Sequence, residues 1–289
     1  MKRIVLYLMV IILIFSMTVF PRETPVYGSN AKAGKYIKID DIKIYYEIYG
    51  KGEPLILLHP DGESMEAFSR QIPALQKHFR VIAVDIRAHG RTTDSDKPLT
   101  YKLMANDIKL LMDALKLDKV YVVGWSDGGK IGLRLALDFP LKIKKLVAVG
   151  TNFHPSGFQQ AFVSMLSMAN YVLLPPKARE RRTHVSPHPE RDPIIFKKQM
   201  DLMLKYPQIK VEELANIKIP VLVMVGDHDL VRGEHTLKLF QALPKAYLAI
   251  IPGTSHIAPY EKPGVVNPLI TDFLKTPYSQ VNRYYFLME

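Results

Sequence analysis

The apolar residues of this chain fall into short unbroken runs separated by segments of helical period. PLILLHP (54–60), RVIAVDIR (80–87), KVYVVGW (119–125), KKLVAVG (144–150), PVLVMVGD (220–227) and AYLAIIPG (246–253) are rich in Val and Ile. Strands buried on both faces of a parallel sheet have this character. KIYYEIYG (43–50) alternates instead, as an antiparallel edge strand does. Between the runs, YKLMANDIKLLMDALKL (101–117) places Leu103, Ile108, Leu111 and Leu115 on one helical face, and GKIGLRLALDF (129–139) and EHTLKLFQAL (234–243) behave alike. Strand alternating with helix predicts a doubly wound, mostly parallel α/β sheet.

Two stretches break the rhythm. Residues 151–215 hold more chain than one crossover helix needs, and a structureless loop of that length is disfavoured in a compact domain, so a small helical cap is expected there. Its methionines Met165, Met168, Met200 and Met203 read as apolar cap faces or as an adaptable pocket lining. The run Lys177–Arg182 reads as a solvated face. At the other stretch, Lys2 and Arg3 precede a nearly unbroken apolar run, Ile4–Phe20, and Ala31-Lys32-Ala33 offers the small residues that signal peptidase uses. The run spans a bilayer only with help from tilt and flanks, since roughly 20 apolar residues are needed. Two readings stand: residues 1–33 are a cleaved secretory signal, or they are an uncleaved membrane anchor. Both place the domain over 34–276 outside the cytoplasm, secreted or held at the outer face of a bacterial-type cytoplasmic membrane. The tail, 277–289, has no readable role.

Composition narrows the chemistry. With 48% hydrophobic and 23% charged residues, the 289-residue chain is globular, not disordered or collagen-like. It has no cysteine, which excludes disulfides, thiolate nucleophiles, zinc–sulfur sites and a lipoprotein anchor. The net charge of +11 comes from Lys and Arg spread along the chain without any RNP-like or zinc-finger signature. It is therefore read as solubility or attraction to an anionic envelope, not as nucleic-acid binding. No G-x-G-x-x-G or Walker motif is present, and the histidines near His184 lack metal-ligand spacing, so neither a cofactor nor a metal is expected.

The strongest chemical signal is Gly124-Trp125-Ser126-Asp127-Gly128-Gly129, set between a buried strand and an apolar-periodic helix. This is G-x-S-x-G in its strand–turn–helix context. The sharp turn strains the Ser backbone and tolerates only Gly beside it, leaving the hydroxyl exposed above the carboxyl end of the sheet. A serine hydroxyl needs a base, and the base an orienting acid. Asp227-His228-Asp229 and Thr254-Ser255-His256 each follow a strand, where sites in open α/β sheets are built. His256 is the expected base. His78, His154, His184, His188 and His235 lie off strand ends, and His228 is beside the acid. Asp127 is unusual so close to a nucleophile: its carboxylate either points to solvent or caps the helix N-terminus, or it anchors a cationic substrate group.

With LLHPDGES after the third strand, DIRAHGRT (85–92), GWSDGG and the pair GDHD…PGTSHIAPYEKP, the chain resembles an α/β-hydrolase over residues 36 to about 275. The resemblance implies the acid in a G-x-x-D setting, Gly226 to Asp229, which selects Asp229 over Asp227. It also implies an oxyanion hole made by the backbone N–H groups of Asp61 and Asp127. The elbow spelling resembles the valacyclovir-hydrolase-like branch, which cleaves amino-acid esters and would give Asp127 a substrate-binding role. Two departures stand out: His59-Pro60-Asp61-Gly62 replaces the usual His-Gly, and Ala88 stands where Gly is usual, in what reads as a surface turn. The expected function is a cofactor-free serine hydrolase acting through an acyl-enzyme on a small-molecule ester, thioester or small amide, amino-acyl esters included. The alternatives are a proline-iminopeptidase-like aminopeptidase, a cofactor-free haloperoxidase or carbon–carbon hydrolase, and a non-catalytic binding module on the same fold.

Overall fold

The computed structural model describes residues 27–280, so the apolar run at 4–20 and the end of the tail lie outside the described residues. No helix among the described residues is long and apolar enough to cross a membrane. Eight strands form one sheet: β1 (Gly34–Ile39), β2 (Ile42–Tyr49), β3 (Pro54–Leu58), β4 (Arg80–Val84), β5 (Val120–Trp125), β6 (Ile143–Val149), β7 (Val221–His228) and β8 (Ala246–Ser255). Their order is β1-β2-β4-β3-β5-β6-β7-β8. The six Val/Ile-rich runs make the parallel part, and β2 pairs antiparallel with both β1 and β4.

The expected edge strand is therefore one place further in. The edge on this side, β1, reads GKYIKI and carries Lys35 and Lys38, charges of the kind that protect an exposed sheet edge from further pairing. Asp40 turns the chain between the two strands at φ 49°, a left-handed conformation that Asp tolerates better than most residues.

Ten helices surround the sheet among the described residues: α1 (Ile72–Leu75), α2 (Tyr101–Ala114), α3 (Asp127–Asp138), α4 (Gln160–Ser167), α5 (Pro176–Thr183), α6 (Asp192–Lys205), α7 (Val211–Leu214), α8 (Gly233–Ala242), α9 (Ala258–Glu261) and α10 (Pro263–Lys275). Strand periodicity splits the core into two layers. Ile56 and Leu58 of β3 face one apolar cluster with residues of α2 and α3, and Leu55 and Leu57 face the other with α10. The Thr100 hydroxyl caps α2 by accepting the Leu103 N–H at 3.0 Å. The buried face of α2 is Tyr101, Met104, Ala105, Ile108, Leu111 and Met112, whereas Leu103 and Leu115 are only half-buried. The face is rotated from the expected one because Asp107 must also turn inward to meet a buried arginine.

That arginine, Arg87, is almost fully buried. It donates to Asp107 at 2.7 and 2.8 Å and to Asp41 at 2.8 Å. Between β6 and β7 the chain inserts helices α4 to α7, with a small apolar core that includes Leu166, Phe196, Met200 and Met203. Met168, by contrast, is half exposed.

Residues 27–33, assigned from sequence to the leading segment, are part of the packed structure. Glu47 is fully buried and accepts the N–H groups of Gly28 and Asn30 at 2.8 and 3.0 Å, with the Tyr45 and Tyr49 hydroxyls donating to the same carboxylate. The Tyr27 ring meets Tyr49 edge-on. The boundary expected at 33/34 therefore cuts through a segment that satisfies a buried charge. In the tail, Tyr278 stacks on Tyr247.

Removing Arg87 strands the buried Asp107 carboxylate, whereas Asp41 is exposed and keeps Lys97. Arg87→Met should lower the unfolding free energy by about 3–5 kcal/mol, the cost of breaking one partner out of a buried pair, read as a fall in denaturant midpoint. Adding Asp107→Leu should recover most of the loss. An unchanged midpoint in the single variant would show that the ion pair contributes nothing.

Candidate functional site

The chain leaves β3 to form β4 on one side and returns to form β5 on the other, so β3 and β5 are neighbours that the chain departs in opposite directions. Ligand sites in open α/β sheets form at such a switch point, outside the carboxyl ends of the strands. The register Leu58↔Gly124 sets the loop His59–Gly62 beside Ser126.

Strand β5 ends at Trp125 and α3 begins at Asp127, leaving Ser126 alone to make the turn. Its backbone is at φ 53° and ψ −111°, a conformation that costs a non-glycine residue about 1–3 kcal/mol. The Ser126 N–H donates to the Val149 carbonyl at 2.7 Å, and the Ser126 carbonyl accepts from Gly129 and Lys130. Only glycine fits on either side: a Cβ on Gly124 would lie 2.2 Å from the Gly128 carbonyl oxygen, and one on Gly128 would lie 1.9 Å from that of Leu58.

Strands β7 and β8 pair regularly to Gly226↔Ile251, then slip before His228↔Ser255. That irregularity carries Asp229 and His256 past the strand ends together, with His256 Nδ1 2.7 Å from Asp229 Oδ1. The same oxygen accepts the Val231 N–H at 2.9 Å, and Trp125 Nε1 donates to the His256 carbonyl at 2.9 Å. Gly150, at φ 55°, lies beneath the pair. A Cβ there would come within 2.9 Å of the imidazole, a packing role with no sequence signal beyond a glycine at a strand end. Asp227 faces elsewhere. It accepts the N–H groups of Gly253 and Thr254 and contacts His228, and these bonds hold its carboxyl well below the usual range. Ser126 and His256 line one cavity, with no hydrogen bond between them among the described residues. Such contacts are often long until substrate is bound.

The cavity, of about 240 Å³, lies between the sheet and the insertion. Its walls are mainly apolar, with Trp125, Phe162, Met165, Leu166 and Met203 facing Ser126, His256 and Asp61. The Asp61 N–H has no acceptor among the described residues. The N–H of Asp127 belongs to the first turn of α3, where intrahelical acceptors are lacking.

The Asp127 carboxylate departs from two of the sequence-based readings of it, solvent exposure and substrate anchoring. It neither reaches solvent nor joins the cavity wall. Oδ1 accepts from Lys130 Nζ at 2.7 Å and from the Tyr101 hydroxyl at 2.9 Å, and Oδ2 is buried without a partner among the described residues. Burial and the charges of Asp127 and Asp61 push the Tyr101 hydroxyl well above its usual pKa. Lys130 was missed from sequence, although a lysine on the inner face of an otherwise apolar helix is itself a signal.

Asp61 is half-buried at the cavity edge, where His89 Nε2 lies 3.1 Å from its Oδ1 and 2.7 Å from the Gln199 amide. Burial alone would raise the Asp61 carboxyl, but the His89 hydrogen bond and the charges of His89, Arg182 and Lys130 hold it below the usual range. Arg182 donates to Gln199 and Asp192, and Arg181 donates to Glu63 at 2.5 Å. The basic run expected to be a solvated face thus ties the insertion to the loop after β3. Ala88 is likewise not a surface residue: it is buried, at φ 63°. Among the described residues, no three His, Asp or Glu side chains are grouped to hold a metal ion.

Two buried histidines give the fold an acid limit. His59 Nε2 accepts the Ile86 N–H at 3.1 Å, and burial followed by the charge of His89 lowers its pKa to about 3. His235 Nε2 accepts the Phe153 N–H, and burial lowers its pKa to about 4. Both are neutral when folded and take up a proton on unfolding. Their stability contribution is intact above pH about 6.5 and is lost towards pH about 4, each at up to about 1.4 kcal/mol per pH unit. Denaturant midpoints measured from pH 7 to 4 should fall, and His59→Asn should flatten that fall. An equal slope in wild type and variant would contradict the assignment.

Residues 53–181 match the family described as alpha/beta hydrolase fold. A protein of Caulobacter sp. named as a carbamate hydrolase, RutD, is 31% identical over 259 residues, covering 80% of this chain and 95% of that protein. The 2-hydroxy-6-oxo-2,4-heptadienoate hydrolase of Pseudomonas putida is 27% identical over 274 residues, covering 85% and 97%. The serine hydrolase BPHL of Homo sapiens is 35% identical over 140 residues, covering 46% and 48%. The solved enol-lactonase of Burkholderia xenovorans superposes with a TM-score of 0.67 at 24% identity, over 84% of this chain and 100% of that one, a likeness of fold.

Proposed function

Since this chain belongs to the alpha/beta hydrolase fold family and is a hydrolase, we propose that it cleaves a carboxylic ester by a serine mechanism. The observation that carries the reading is an imidazole held by a buried carboxylate, His256 by Asp229, on the wall of the same cavity as a strained, helix-leading Ser126. With Nδ1 donating to Asp229, His256 Nε2 is left as an acceptor. It takes the Ser126 proton as Oγ attacks the acyl carbon, and the carbonyl electron pair becomes an oxyanion received by the Asp61 and Asp127 N–H groups. Collapse expels the alcohol, which leaves with the proton from His256. Water, deprotonated by His256, then releases the acid and restores Ser126.

The apolar walls favour an uncharged acyl group. The Asp127 carboxylate is already paired with Lys130, so neither amino-ester selectivity nor the aminopeptidase alternative is adopted. The names of the relatives give a second reading, with carbamates or 2-hydroxy-6-oxo-dienoates as substrates of the same residues. A substrate panel should therefore include both beside neutral esters.

Ser126→Ala should lower kcat at least about 10³-fold while the protein stays folded, because the members of such a triad act as a unit. Asp229→Asn should come close to that loss through the wrong imidazole tautomer. Asp227→Asn, which loosens only the end of β8, should be mild. Substantial turnover by a folded Ser126→Ala protein would end the serine reading, and the reverse ranking of the aspartates would reassign the acid.

For location, we propose export, resting on Lys2, Arg3 and the Ile4–Phe20 run. Fractionation and proteolysis of intact host cells should find the domain outside the cytoplasm. A protease-protected cytosolic protein would contradict this.

A further inference from the structure

Both residues proposed to hold the oxyanion by their N–H groups are aspartates, and a carboxylate beside a developing oxyanion opposes its formation. Asp127 is the sharper case, because it directly follows the nucleophile and is 1% exposed. Oδ1 of its carboxylate meets Lys130 Nζ at 2.7 Å and the Tyr101 hydroxyl at 2.9 Å, while Oδ2 has no partner among the described residues. Lys130 is itself fully buried. Its ammonium lies 3.1 Å from the Tyr101 oxygen and 4.8 Å above the Phe158 ring, with Asp127 as its only ion-pair partner among the described residues.

Burying an ammonium and a carboxylate in an apolar setting stabilises a fold little, and well-packed apolar residues often serve as well. The placement matters more than the pairing. Lys130 lies one helical turn beyond Ser126, on the side of α3 that holds Asp127. We infer that Lys130 is a positioning residue for the reaction: as the counter-cation of Asp127, it keeps the oxyanion site free of net negative charge and holds the Asp127 carboxylate away from the acyl cavity. The inference rests on the serine-hydrolase reading. It also accounts for an elbow spelled GWSDGG that presents no free acid to the substrate.

The effect should be large. At a pH high enough to keep the unpaired Asp127 ionised, two like unit charges about 6 Å apart at an effective dielectric constant of about 20 repel by an amount worth roughly a hundredfold in rate. Lys130→Gln retains hydrogen-bonding groups towards Asp127 and Tyr101 but removes the charge, and Lys130→Met provides a second neutral variant should Gln not fold. Each should be measured on a neutral p-nitrophenyl butyrate and on its 2-amino analogue, beside Lys130→Gln/Asp127→Asn. The expected result is a 30- to 100-fold fall in kcat for the neutral ester with KM within threefold. The ratio of amino ester to neutral ester should rise at least tenfold, and the double variant should regain at least tenfold of the lost kcat. A structural role alone would not move that ratio or be relieved by neutralising Asp127.

A folded Lys130→Gln protein with kcat within threefold of wild type overturns the inference, as does a folded double variant no better than the single. Fluorophosphonate labelling of the wild type separates the two levels. A wild type that labels at Ser126 and turns over esters, with Lys130 variants unchanged, removes the inference alone. A wild type that does neither removes the serine reading and the inference with it.

Discussion

Everything at this site depends on one left-handed residue. With β5 ending at Trp125 and α3 beginning at Asp127, Ser126 must turn the chain by itself, at φ 53°. That turn brings the first turn of α3 against the carboxyl end of β3, so closely that Gly128 leaves no room for a side chain beneath the Leu58 carbonyl. The strain is held by the Ser126 N–H bonded to Val149 and by the helix beginning at once behind it. A longer or relaxed connection would move the hydroxyl off the switch point and separate it from the loop His59–Gly62.

Buried charge is the second constraint, and the molecule answers it by pairing rather than exclusion. Arg87 with Asp107 and Asp41 fixes the loop after β4, and Lys130 with Asp127 lies beside the elbow. Arg182 with Asp192 and Gln199 joins the insertion to His89 and, through it, to Asp61. These pairs fix geometry: Arg87 ties the loop after β4 to α2, and Arg182 belongs to a segment that lines the cavity. The insertion is thus tied by polar contacts on one side of the cavity, while its apolar residues Phe162, Met165, Leu166 and Met203 form the other wall.

The sheet was legible from the chain alone because a strand buried on both faces must be continuously apolar: five of the six runs became such strands, and the sixth, β8, became the half-exposed parallel edge. The elbow was legible because its sterics admit little except glycine around the serine. The G-x-x-D spacing put Asp229 forward, and a hydrogen bond of 2.7 Å joins it to His256. Local pattern carried all of this, since each feature is decided by residues within a few positions of one another.

What tertiary structure decided involves partners far apart in sequence. The edge strand moved from β2 to β1 because an edge is defined by what does not pair with it. The Tyr27–Ala33 segment joined the domain because Glu47 needs its N–H groups. The slip between β7 and β8 turned Asp227 away and brought Asp229 to His256. Above all, Asp127 was open to opposite readings until its neighbours were known. A carboxylate near a nucleophile can serve a cationic substrate or oppose an oxyanion, and which it does depends on the position of a compensating cation. Lys130 and Tyr101 supply that answer only when α2 and α3 are packed together, because electrostatics in a buried site depends on distance in space and not on spacing along the chain.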